Sequence, residues 1–234
     1  MNRSVRWSAE QVVAAARDWV WIPVDARRHT TAELDIVAYP DHFGMPTQVL
    51  RSAADGPLEE LLERARHVAR GWGRPTLFWW VSGDSTPDLA VPAEVTVRRV
   101  DDEPSVRASE VVAATAFGSG PTPEERLPSI LAETLSAWQD RTGFRSLAHR
   151  RGVPAATGGC TMAGPVARLW GAGTCPAHRG KGAYRAVLDH RLRVARELGA
   201  TLALVKGRVA TSGPILRRAG FTSYGVEHCY RLPV

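Results

Sequence analysis

Arg179-Gly180-Lys181-Gly182-Ala183-Tyr184 lies between a glycine-punctuated apolar stretch, Val166 to Thr174, and a long amphipathic run ending at Leu198. The segment reads as a strand, a tight turn and the N-terminus of a helix. The first helical N–H groups lack intrahelical acceptors and sit at the positive end of the helix dipole, so a turn without bulky Cβ atoms lets a pyrophosphate reach them. Gly180 and Gly182 supply that turn. Two other phosphate loops do not fit. A P-loop needs Ser or Thr after Gly-Lys, where Gly182 stands, and a dinucleotide fingerprint begun at Gly180 needs glycine where Arg185 stands.

Beyond the turn, Val187, Leu188, Leu192, Ala195 and Leu198 recur at near-helical spacing, with Arg191, Arg193 and Arg196 mostly between them and Gly199 as a stop. Thr201 to Val205 then reads as a short buried strand. The result is a β-α-β unit with its loop at the carboxyl end of the first strand, the usual ligand edge of an open α/β sheet.

These residues resemble the GNAT acetyltransferase superfamily, whose pantetheine-pyrophosphate loop reads Arg/Gln-x-x-Gly-x-Gly/Ala. Arg179 and Gly182 are in register, and Tyr184 replaces the last small residue. Thr174-Cys175-Pro176 leading into the loop, and Gly220-Phe221 after a short helix from Ser212 to Ala219, extend the resemblance over roughly residues 94–234. The family's order predicts a strand at Val95 to Val100, helices near Val106 to Ala116 and Pro123 to Trp138, and a hairpin across Arg151 to Pro154. The β-α-β unit, a short helix and a final strand pair follow. The implied fold class is α+β: a mixed, mostly antiparallel sheet flanked by helices.

The resemblance implies direct attack of an amine on the thioester of acetyl-CoA in a ternary complex. Carried over residue by residue, it assigns Ala172, Gly173 and Thr174 to the pantetheine arm, and Arg179, Gly180, Lys181, Gly182, Ala183 and Tyr184 to the pyrophosphate. An ammonium has a reference pKa near 10.4, so a base or a water relay must remove its proton. The family's frequent acid, a Tyr before the closing Gly-Phe, falls at Leu216; Val209 and Arg168 stand where an Asn and a carboxylate are often found. Ser212, Tyr184 and Tyr230 are the replacement donors, and His228, on the same strand face as Tyr230, is a candidate base. Cys175 reads as a small buried residue.

Composition bounds the remaining choices. A chain of 234 residues can bury a sizeable core without disulfide or metal. Its three cysteines, Cys160, Cys175 and Cys229, have neither a paired framework nor metal-ligand spacing, which fits a reducing cytoplasm. No signal-peptide core and no membrane-length apolar run is present, so a soluble monomer or homodimer is expected. From Phe144 onward 15 Lys and Arg face three acids, a net of +12, whereas the first 143 residues carry a net of −6. A basic half around a phosphate loop suits coenzyme A, and an acidic half suits a small-molecule or peptide amine. Of the 30 basic residues 28 are Arg, a bias that needs no ligand to explain it. A non-catalytic acyl-CoA-binding or sensing module and a nucleic-acid-associated protein are the competing classes, although no recognised RNA or DNA motif accompanies the charge.

The first 92 residues read as a separate α/β unit, against 93–234 for the catalytic domain. Six of eight tryptophans fall there, and Ser82 to Pro92 reads as a turn-rich junction. Strands at Trp19 to Val24, Leu34 to Tyr39 and Thr76 to Val81 and a helix at Leu58 to Arg70 are expected. Their order parallels the later β-α-β unit, so this part is either a degenerate GNAT-like half without a phosphate loop or an unrelated cap. Asp41 and His42 sit on a Pro-rich turn that reads as a loop or as part of an acceptor site.

Overall fold

The computed structural model describes residues 7–17, 22–40, 47–52, 58–79, 84–87, 91–223 and 230–233. The elements begin with α1 (Ala9–Arg17), β1 (Arg27–Thr30), β2 (Leu34–Ala38), β3 (Thr47–Ser52), α2 (Leu58–Gly71), β4 (Thr76–Trp79) and β5 (Asp84–Pro87). They continue with β6 (Val95–Arg99), α3 (Glu103–Phe117), α4 (Leu127–Gln139), β7 (Gly143–Arg150), β8 (Val153–Ala163) and β9 (Val166–Thr174). The last are α5 (Ala183–Glu197), β10 (Leu202–Val205), α6 (Ser212–Arg218), β11 (Ala219–Ser223) and β12 (Tyr230–Pro233). Two compact units result, one of residues 1–16 and 85–222 and the other of residues 17–84 and 223–234.

The larger unit is built on a sheet ordered β10-β9-β8-β7-β6. Strands β6 to β9 are antiparallel neighbours, whereas β10 runs parallel to β9 and is reached through α5. Arg151 and Gly152 both take positive φ, 52° and 80°, the twist that a two-residue hairpin between β7 and β8 requires. Helix α3 starts at a capping box, Asp102 accepting from the Ser105 N–H, and stops at Gly118 in the left-handed region. Helices α3 and α4 cover one face of the sheet with Val106, Val112, Leu127 and Ile130 against Leu147. Helix α5 covers the other, where Ala183, Ala186 and Val187 meet Ala148, Ala155 and Ala156. Alanines on both sides bring the start of α5 close to the strands.

The smaller unit repeats part of this plan. Strands β1, β2 and β3 form an antiparallel meander, α2 crosses over, and β4 returns parallel to β3. This is the order of β7, β8, β9, α5 and β10. Leu34, Ile36 and Val49 of the sheet pack on Leu61, Ala65 and Ala69 of α2.

The expected final strand pair is not formed. Strand β11 pairs with β5, inside the stretch read as a junction, and β12 pairs antiparallel with β4. The last strand thereby covers a sheet edge that would otherwise be open. The grouping of strands consequently differs from a division at residues 92 and 93 at both ends of the chain. Residues 19–21 of the strand expected at Trp19 to Val24, together with Asp41 and His42, lie outside the described residues.

Candidate active site

Strand β9 changes character halfway. Its first half, Val166 to Leu169, lies between β8 and β10, but β10 extends no further, so the second half has a strand neighbour only on the β8 side. At the changeover the register slips: Gly159 pairs with Trp170 and Thr157 with Gly173, leaving an extra residue on β9. Gly171, with φ 60°, absorbs it. Gly173 is glycine because of packing, since a Cβ there would stand 2.6 Å from the Cβ of Ala116. Behind the bulge, the Thr157 hydroxyl donates to the Ser146 carbonyl at 3.1 Å and lies 2.7 Å from Ser109 Oγ.

The chain then enters the loop. Gly180 and Gly182 take φ of 72° and 81°, and Gly182 is the N-cap of α5. No side chain caps the helix, so the protein supplies no side-chain acceptor to its first N–H groups. The loop's cations are occupied elsewhere. Arg179 reaches back to the carbonyls of Thr174 and Ala116, each at 3.3 Å, and Lys181 Nζ donates to Ala177 at 2.7 Å. Arg179 thus ties the loop to the end of α3.

On the α3 face one row crosses three strands: Arg145, Gly159 and Trp170. Without a side chain at Gly159 the indole of Trp170 lies across the strand; a Cβ there would stand 2.3 Å from its ring. Trp170 Nε1 donates to Thr161 Oγ1 at 2.8 Å, and the Arg145 guanidinium lies 5.4 Å from the indole centroid. Arg145 also pairs with Glu110 of α3 at 2.5 Å, whose other oxygen accepts from Thr122. Trp170 and Phe117 remain exposed. A carboxylate, a guanidinium and an aromatic plate therefore meet beside the bulge.

Beneath the sheet, burial governs. Tyr184 packs into the cluster containing Leu188, Leu216 and Phe221. Burial raises its pKa, opposed by the Arg191 charge and the Ser212 hydroxyl, so the phenol stays protonated at neutral pH. Ser212 Oγ accepts from the Arg208 N–H at 2.8 Å and closes the turn before α6. Leu216, where the resemblance places a phenol, is buried in the same cluster. Burial also drives the Cys160 thiol up to about 12 and raises that of Cys175, so neither is a thiolate.

The fold brings Ala172, Gly173, Thr174 and the loop residues to one end of β9, with Tyr184 and Ser212 under it. Tyr230 lies in β12, which belongs to the smaller unit's sheet. His228 lies outside the described residues. Arg191, read from periodicity as lying between the apolar positions, is instead fully buried. Its signal was its spacing of four from Val187 and three from Leu188, on the apolar stripe itself. Glu110, Arg145 and Trp170 carry no such local signal, because strand register and the packing of α3 on the sheet assemble them.

No protein-family model matches the chain, and no curated protein matches it. Among solved structures, a GCN5-related N-acetyltransferase from Kribbella flavida is 19% identical with a TM-score of 0.54, over 86% of this chain and 89% of that one. A tandem GNAT protein from the clavulanic acid biosynthesis pathway gives 15% and 0.46, over 85% and 78%. Glucosamine-6-phosphate N-acetyltransferase from Arabidopsis thaliana gives 14% and 0.44, over 50% and 84%. No helix among the described residues is long and apolar enough to cross a membrane. A bulged strand that loses its neighbour halfway, a glycine loop and an uncapped helix are thus set in an architecture shared along most of both chains with the first of these: the protein has the GCN5-related N-acetyltransferase fold.

Proposed function

We propose that the chain is an acetyl-CoA-dependent N-acetyltransferase acting on a primary amine by direct attack in a ternary complex, in a reducing cytoplasm. The observation that carries this reading is the start of α5, a helix N-terminus with no side-chain cap behind two glycines of positive φ. Such an end offers main-chain donors and a favourable dipole to an anion. Main-chain groups from Arg179 to Tyr184 would hold the pyrophosphate, and the one-sided half of β9, Ala172 to Thr174, the pantetheine arm. Coenzyme A supplies the acetyl group as a thioester. The net +12 from Phe144 onward favours this polyanion.

Roles for the side chains follow from their places. The exposed Trp170 face orients an ammonium beside Gly171, with Glu110 holding the neighbouring Arg145 guanidinium in place, and the amine proton leaves to solvent. Tyr184 Oη holds a proton available to a thiolate leaving group, with Ser212 as its neighbour. Buried Leu216 favours the second reading, an acyl-CoA-binding module without turnover, because it removes the family's usual acid. Thiol release from acetyl-CoA with a panel of amines, alongside calorimetric binding, separates the two. Release above background with at least one amine supports the enzyme; tight binding with no release across the panel supports the sensor; no binding refutes both.

A further inference from the structure

Arg191 has the largest fully buried side chain in the described protein. No carboxylate pairs with it among the described residues. It donates through Nη1 to the carbonyls of Gly159 at 3.1 Å and Trp170 at 3.3 Å, and through Nε to Val187 at 3.3 Å, while Nη2 has no partner. A buried, unpaired guanidinium is costly, and an apolar side chain of similar volume would serve packing better. What it does that no apolar residue can is hold both carbonyls of the cross-strand pair at which β9 slips register.

The Trp170 carbonyl governs the next donor. A peptide group is planar and trans, so its C=O and N–H point in opposite directions. The Trp170 oxygen is held beside the Gly159 oxygen on the β8 side, so the N–H of Gly171 points to the other edge of β9, the one that β10 leaves without a neighbour. The positive φ of Gly171 lets the chain adopt this without a Cβ clash. A charge-assisted bond to the carbonyl also strengthens the N–H of the same peptide as a donor.

We propose that Arg191 is a positioning residue: by holding the Trp170 carbonyl it presents the Gly171 N–H at the unpaired edge of β9 as a donor to the acyl oxygen. This rests on the acetyltransferase reading, and it assigns to α5 a second task besides anchoring the phosphate loop. The guanidinium touches no substrate and acts only through the backbone.

The test uses the full chain with Arg191→Met and Gly158→Ala. The first removes the donors at similar volume. The second adds a Cβ 3.1 Å from the guanidinium carbon and 3.2 Å from the Ala172 Cβ, displacing the guanidinium without removing it, so a folding failure of the first leaves the question decidable through kcat. The readouts are the amide 15N–1H resonance of Gly171 without ligand, acetyl-CoA affinity, and kcat. In both variants the Gly171 amide should move, and in Arg191→Met affinity should stay within about threefold, because the phosphate loop and the Ala172 side chain are untouched. A fall in kcat of roughly 100-fold for Arg191→Met, and a smaller one for Gly158→Ala, is expected for a misaligned oxyanion donor. An unmoved Gly171 amide, or kcat within twofold of wild type in folded Arg191→Met, overturns the proposal. If wild type releases no thiol with any amine, the acetyltransferase reading falls, and the role of Arg191 in acyl transfer falls with it.

Discussion

Replacing Gly159 by alanine tests whether the Trp170 plate serves the acceptor. The new Cβ would stand 2.3 Å from the indole, and because the obstructing atoms are the far edge of an exposed ring, the indole rather than the backbone gives way. Moving it breaks the 2.8 Å bond from Nε1 to Thr161 and the stacking of Arg145 at 5.4 Å. A net hydrogen bond of about 0.5–1.5 kcal/mol and an exposed cation–π contact of about 0.5–1 kcal/mol give a loss of roughly 1–2.5 kcal/mol. That corresponds to a fall in Tm of about 2–10 °C. If an ammonium also uses the plate, about 1 kcal/mol less transition-state binding lowers acceptor kcat/KM about fivefold. Acetyl-CoA affinity should not change. Indole NMR confirms displacement, and steady-state kinetics with the acceptor varied gives the answer. A displaced indole with unaltered acceptor kcat/KM refutes the placement of the acceptor on this face.

Further expectations concern the loop, the phenol and a buried histidine. Gly180 has open space around its missing Cβ but a φ of 72°, so Gly180→Ala should weaken acetyl-CoA binding at a stability cost of about 1 kcal/mol, read by calorimetry and thermal melts. Gly182→Val is a poorer probe, because its Cβ would stand 2.4 Å from Pro92. Tyr184→Phe should lower kcat at least tenfold at unchanged acetyl-CoA affinity, and single-turnover rates would show it. His190, within 2.9 Å of Ser146 and nearly buried, is held by burial at about 4 in the fold, against its ordinary 6.5. The unfolded chain therefore binds the proton more readily, and stability complete above about pH 6.5 falls as pH drops toward 4, by about 2 kcal/mol after allowing for the exposed ring edge. Urea unfolding from pH 7 to 4.5 should show that slope in wild type and its reduction in His190→Gln.

Local chemistry made much of this legible before any coordinates. Glycines at 171, 173, 180 and 182 mark the bulge and the loop, and the run from Ala183 announces a helix by its period. Strand β9 and the hairpin at Arg151 and Gly152 follow from the same local rules. Arg191 was misread because periodicity sorts residues by polarity and sends a charged side chain to solvent. The Glu110, Arg145 and Trp170 corner depends on three elements falling into register, and the partner of β12 lies about 150 residues upstream of it. No local pattern encodes either.

The pairing of β12 with β4 also sets an order of events during synthesis. At about 5–20 residues per second, the roughly 150 residues between Trp79 and Tyr230 take on the order of 10–30 s to translate. Throughout that interval the edge of β4 that β12 will cover has no partner. A ribosome-bound chain therefore carries an adhesive edge while the acetyltransferase-like unit is still being made, and crowded polysomes bring such edges together. Excising either half at the level of the gene would make that transient exposure permanent, leaving one product with an uncovered edge and the other with a strand that has nowhere to pair.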